Sequence, residues 1–195
     1  LITELAATGA ELVVQAMSGE AAAAAARVVP ERFRGSRIGA VPTFLQVDFG
    51  LARSSDGTLT PKLVELQAFP SLYGFQIALA DAYRTAFELP ANTSPYLSGL
   101  NVDSYRDLLH SVIVGGMDPS EVVLMEIEPE RQKTRPDFVM TEQLWGVKTV
   151  DTAAVAQEGR RLFYRRDGRR TMIRRVYNRV IPDELERKGV KLPFD

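Results

Sequence analysis

Twice in this 195-residue chain an Asp-Gly pair stands between two runs in which apolar and polar residues alternate. Asp-Gly favours a tight turn, and a period of two sends successive side chains to opposite faces of a strand. Each stretch is therefore expected to form an antiparallel hairpin. The first joins 44–51 to 59–67 through Ser54-Ser55-Asp56-Gly57, and the second joins 161–166 to 169–176 through Asp167-Gly168. Elsewhere the period is helical: over 1–29, with Gly19 as a break, over about 72–87 and 103–114, and over the short final stretch 182–188. Between 121 and 150 the order is strand, helix, strand. The apolar run Val122-Val123-Leu124 reads as a buried strand, Asp137 as the N-cap of the helix, Gly146 as its stop and 147–150 as the second strand. A strand–helix–strand order predicts a parallel pair. The expected fold is α/β, a mixed sheet built from this βαβ unit and the β-hairpins and flanked by helices. A helical segment over 1–40 is expected to precede an α/β domain over 41–195.

Composition excludes several functions. With no cysteine there is no disulfide scaffold, zinc ribbon, iron–sulfur cluster or thiol nucleophile. One histidine, His110, excludes a multi-histidine metal site and disfavours a Ser-His-Asp triad; its apolar neighbours Leu108, Leu109 and Val112 suggest a packed or surface residue. The net charge of −1 argues against a general nucleic-acid coat. No apolar run is long enough to span a bilayer, and the alanine-rich stretch over 20–29 lacks the preceding basic region of a signal peptide.

The first hairpin carries the chemistry. With Asp56-Gly57 as the two central turn residues, Asp48 falls opposite Glu65 and Gln46 opposite Gln67. Leu45, Val47, Phe49, Leu51, Val64 and Leu66 then share one face, and Gln46, Asp48, Leu63, Glu65 and Gln67 the other. Facing carboxylates repel. A divalent cation would offset the repulsion, and oxygen donors suit Mg²⁺; the other reading is a pair screened by solvent. Pro61 cannot donate to the ladder and is a candidate for a bulge.

Val47-Asp48-Phe49, the Asp-Gly turn and Leu63-Val64-Glu65-Leu66-Gln67-Ala68-Phe69-Pro70-Ser71 together resemble the circularly permuted ATP-grasp, glutathionylspermidine synthase-like proteins. Thr134, Asp137, Gly146-Val147, the 161–175 hairpin and Val176-Tyr177-Asn178-Arg179 resemble the pre-ATP-grasp part of that group. The resemblance covers roughly 42–85 and 120–185. It implies Mg²⁺ ligands at Asp48, Glu65 and Gln67, with Gln67 in place of the family's Asn and Gln46 where Arg is frequent. It implies an ATP-dependent ligase that joins a small-molecule acid to a nucleophile, with a cytoplasmic location. The five lysines, Lys62, Lys133, Lys148, Lys188 and Lys191, are scattered, and no stretch reads as an ATP-clamping subdomain. The chain is therefore expected to be the N-terminal portion of a longer protein, inactive alone, with the ATP site outside it. The rival reading is a non-catalytic anion- or partner-binding module.

Substrate anions are expected at Arg131, Lys133 and Arg135, before a helix N-terminus where backbone N–H groups favour negative charge. Arg179, at the end of the Tyr-Asn-Arg strand, resembles a substrate-side arginine of the family and is expected to approach the same cleft. The other arginines crowded into 160–175 read as a solvated hairpin face, with phosphate binding as the alternative. Phe69, Tyr73, Phe75, Tyr83 and Phe87 are expected to pack in the core or an interface.

Overall fold

A positive φ of 58° at Gly19 is cheap only for glycine, and it separates α1 (Ile2–Ala16) from α2 (Gly19–Val28). The computed structural model describes residues 2–31 and 42–194. The expected domain boundary at 40/41 lies outside these residues. The chain divides into two compact units, Leu1–Pro70 and Ser71–Asp195.

In the first unit, β1 (Gln46–Arg53) and β2 (Leu59–Gln67) form the expected antiparallel hairpin. Helix α1 lies on its apolar face. A Cβ at Gly9 would stand 3.1 Å from Val47 Cγ1 and 3.5 Å from Leu66 Cδ2, so the helix backbone approaches as closely as it does because no side chain intervenes.

The second unit is built around a parallel sheet. β3 (Val122–Glu126) is central, with β4 (Lys148–Asp151) on one side and β8 (Arg175–Asn178) on the other. All five residues of β3 are buried, as expected for a strand covered on both faces. Helix α5 (Arg135–Trp145) connects β3 to β4, so the βαβ unit is as expected. A separate antiparallel sheet holds β5 (Ala156–Glu158), β6 (Arg161–Arg166) and β7 (Arg169–Ile173). The fold is α/β, but parallel and antiparallel strands occupy different sheets rather than one mixed sheet.

The second hairpin differs from expectation beyond Ile173. The run expected to continue to Val176 breaks at Arg174, whose backbone N–H donates to Glu121 O at 2.8 Å and whose Nε lies 3.2 Å from Glu121 Oε2. The chain then leaves the hairpin and enters the parallel sheet as β8. Val123, Met125, Ile127, Val150, Val155, Tyr164, Ile173 and Val180 form one core between the two sheets, with Leu185 of α6 (Pro182–Lys188) packed against it. Helices α3 (Tyr73–Phe87) and α4 (Val102–Ile113) complete the unit. Trp145 Nε1 donates to Arg106 O at 3.1 Å and ties α5 to α4. Tyr83 and Phe87 are exposed and contact each other, with ring centroids 5.4 Å apart, so they are not core residues. Among the described residues no helix is long and apolar enough to cross a membrane.

Candidate functional site

The hairpin brings the predicted acids together. Asp48 stands opposite Glu65 and Gln46 opposite Gln67. The register arises differently from the expected one. The turn is not two residues long: Ser54 N–H donates to Thr58 O and Gly57 N–H to Ser54 O, both at 2.9 Å, leaving a three-residue loop closed by Gly57 at φ 84°. This shifts the pairing by one, so Phe49 stands opposite Leu63 and Leu51 opposite Pro61. A bulge between Asp48 and Phe49 then restores the expected pairing at the acids. The extra residue is Val64, and Pro61 sits in regular register. The bulge places Leu63 on the face of Phe49, opposite to expectation, and brings Val64 Cγ2 to 3.4 Å from a Cβ built at Gly50, on the face of Asp48.

The repulsion between the two carboxylates is met by amides. Gln67 Nε2 donates to Asp48 Oδ2 at 2.9 Å and to Glu65 Oε1 at 2.5 Å, while Gln46 Nε2 donates to Asp48 Oδ1 at 2.8 Å. One amide nitrogen thus stands within hydrogen-bond distance of both acids, where a shared cation would also be held. The donor set fits a hard divalent cation: two carboxylates and, with the Gln67 amide turned over, a carbonyl oxygen. Among the described residues no group of three or more His, Cys, Asp or Glu side chains is disposed around a common metal position, so any ion here depends on the amide or on donors from elsewhere.

The second unit gathers polar groups at the carboxyl ends of its parallel strands, where ligands of open α/β sheets bind. Glu126 ends β3 and Asn178 ends β8; Arg179 follows and donates its backbone N–H to Met125 O at 2.9 Å. Glu126, Asp137 and Arg179 are all buried. Asp137 is not the N-cap of its own helix. It lies inside the first turn of α5, which starts at Arg135, and its carboxylate accepts from Leu72 N–H at 3.1 Å and Phe75 N–H at 2.9 Å. It therefore caps α3, whose own cap residue, Leu72, has a left-handed φ of 74° and no side-chain oxygen to offer. Gly74 makes the arrangement possible: a Cβ there would lie 3.3 Å from each of Asp137 Oδ1, Met140 Cβ and Thr141 N.

Burial pushes the Asp137 carboxyl above its ordinary range, against the pull of the backbone N–H groups and Arg179. Burial likewise raises Glu126, whose Oε1 accepts from Ile127 N–H at 2.8 Å. Tyr73 and Tyr105 are both pushed up to about 12 by burial, and Tyr177 is raised for the same reason. These phenols are neutral donors at neutral pH around a buried acid and a buried guanidinium.

The basic loop does not join this cluster as expected. Arg131 Nη1 pairs with Glu128 Oε1 at 3.1 Å, and Arg135 Nε pairs with Glu130 Oε2 at 2.6 Å. Lys133 is exposed and makes no ion pair among the described residues. Of the four predicted anion contacts, Arg179 alone is drawn inside, beside Asp137. Glu126 and Tyr105 were not singled out in the sequence, and Tyr73 and Tyr177 stood there only as a packing residue and as part of the family-like strand, although an acid closing a wholly apolar parallel strand was a usable signal. Compared with protein-family models and with curated proteins, the sequence matches none.

Proposed function

We propose that this chain contributes the metal- and substrate-side residues of an ATP-dependent, magnesium-using carboxylate–amine ligase of the ATP-grasp type. The observation that carries the reading is the pairing of Asp48 with Glu65 around a single side-chain amide, that of Gln67. Two acids held face to face on an exposed strand serve no packing purpose, and their oxygens are the donors Mg²⁺ prefers. In this reading Asp48, Glu65 and Gln67 hold the ion, which when bound neutralises phosphate charge. Arg179 holds a substrate carboxylate beside Asp137, with Arg131, Lys133 and Arg135 as outer contacts, and the nucleotide site lies outside this chain. The proposed setting is the cytoplasm, which supplies ATP.

The test is calorimetry with Mg²⁺, or spin resonance with Mn²⁺ as its stand-in. The wild-type chain should bind saturably, with Asp48→Asn and Glu65→Gln each weakening binding by about tenfold or more, the scale on which removing a metal-site group acts. Absence of saturable binding up to about 10 mM, roughly tenfold above the weak end of biological hard-cation sites, sinks the metal assignment.

One observation favours a second reading, a non-catalytic partner-binding module. The hairpin leaves Leu51, Leu63 and Val64 more than half exposed, at 64%, 52% and 67%, and its acids are already satisfied by Gln46 and Gln67.

A further inference from the structure

Helix α3 and the loop of residues 88–101 border a half-open cavity of about 580 Å³ in the second unit, within the range of small-molecule sites. Its walls are apolar and aromatic: Leu79 and Tyr83 from α3, Leu89, Tyr96 and Leu97 from the loop, and Tyr105 from α4. Tyr83, Leu89 and Leu97 each keep more than a third of their surface exposed, so apolar surface stays open between loop and helix. Hydrogen bonds fix the loop in place. Arg84 Nη2 donates to Thr93 O at 3.0 Å, Thr93 N–H to Pro90 O at 2.8 Å, and Asn101 and Ser104 cap α4 reciprocally. Tyr96 and Tyr105, both lining the cavity, stand with ring centroids 5.3 Å apart, tilted by 45°.

A smaller polar pocket of about 180 Å³ adjoins it and shares Ala80, Arg84, Ser94 and Tyr96 with it. This pocket adds Asp81 and Asn101. Asp81 and Arg84 stand one helical turn apart, yet no ion pair joins them among the described residues, and the Asp81 carboxylate accepts no hydrogen bond there. One guanidinium N–H of Arg84 goes to Thr93 O, and the others remain available. The site thus offers an apolar chamber with one cation and one anion at its rim.

We propose that this site binds a free amino acid with a large apolar side chain. The side chain lies against the tyrosines in one part of the cavity, the α-carboxylate meets Arg84, and the α-ammonium meets Asp81. A simple hydrocarbon would leave the rim charges unmatched, a carboxylic acid would leave Asp81 unmatched, and an amine would leave Arg84 unmatched. The proposal concerns a site in the second unit and does not depend on the metal hairpin.

The test is ligand-observed NMR and calorimetry on the whole chain with L-phenylalanine and L-leucine, against 3-phenylpropionate and phenethylamine. At least one of the amino acids should bind with a Kd of about 1 mM or tighter, and both truncated analogues at least about tenfold more weakly, because a charged hydrogen bond is lost in each. Arg84→Met and Asp81→Asn should each weaken amino-acid binding by a similar factor. Ala80→Phe, which places a ring in the wall shared by the two pockets, should strongly weaken it while the circular dichroism spectrum stays unchanged. The proposal is overturned if neither amino acid binds saturably, if the truncated analogues bind as tightly, or if Ala80→Phe leaves binding intact.

Discussion

Two acids were each expected to do something particular, and the molecule treats them oppositely. Asp48 lies on a partly exposed hairpin and is matched by two side-chain amides, from Gln46 and Gln67. Asp137 is fully buried and is matched by backbone N–H groups at the start of another helix. Side-chain amides can turn away and give up their acid to an ion, whereas a helix N-terminus cannot. The comparison separates a carboxylate available for ligand chemistry from one committed to the fold. It also explains why Arg179 is the one predicted anion contact of structural consequence: it lies beside the committed acid, while Arg131 and Arg135 are matched at the surface by Glu128 and Glu130.

The comparison breaks most visibly at Asp137. Asp137→Ala should cost about 3 kcal/mol, because it leaves buried N–H groups of α3 without an acceptor and Arg179 without its neighbouring charge; urea denaturation measures it. A loss below about 0.5 kcal/mol, the level of an ordinary surface substitution, would return Asp137 to the surface class. Asp137→Asn keeps an acceptor and should cost less, and it should also change the pH dependence. Burial raises the Asp137 carboxyl above its ordinary 3.8. Its contribution to stability is therefore fully present below that value and lost as pH rises through the raised folded value. Glu128 and Glu184 have the opposite sign. Hydrogen bonds from Lys188 hold both below 4.5, so their contribution is present above 4.5 and lost as pH falls through the lowered values. In Asp137→Asn the alkaline-going loss should disappear and the acid-going loss should remain.

A smaller effect is expected at Gly74, where α3 comes close to α5. Gly74→Ala places a methyl 3.3 Å from three atoms and should cost about 1–2 kcal/mol by overpacking, read as a lowered thermal midpoint. A neutral or stabilising result would mean that α3 moves aside and that Asp137 does not need the close crossing. Smallest of all, Arg131→Ala and Arg135→Ala should each change stability by less than about 0.5 kcal/mol, because their ion pairs are exposed. A loss above about 1 kcal/mol would put the basic loop among the committed charges.

Much of the fold was legible in the sequence. The two Asp-Gly turns, the helix limits near 73–87 and 102–113, the parallel βαβ unit and the final helix over 182–188 all follow from local periodicity and turn chemistry, which depend on residues a few positions apart. The facing of Asp48 and Glu65 was legible too, although the three-residue loop and the bulge at Val64 were not; their offsets happen to cancel at the acids. The candidate site at the strand ends was only partly legible. Arg179 and Tyr177 could be placed at a strand end, but Tyr105 carried no local sign that it would stand near Asp137.

What the sequence alone determined is therefore local: the hairpins, the helices, the absence of thiol and multi-histidine chemistry, and the opposed acids. The tertiary structure decided which sheet each strand joins and which charges are spent. Val176-Tyr177-Asn178 has strand character wherever it pairs, and it pairs with β3 because the chain breaks at Arg174 against Glu121. Asp137 would cap whichever helix start it met, and it met α3, whose N–H groups lie 65 and 62 positions earlier in the chain. Neither choice is written in any short window, because a hydrogen-bonding group is satisfied by what packing brings to it rather than by its neighbours in sequence.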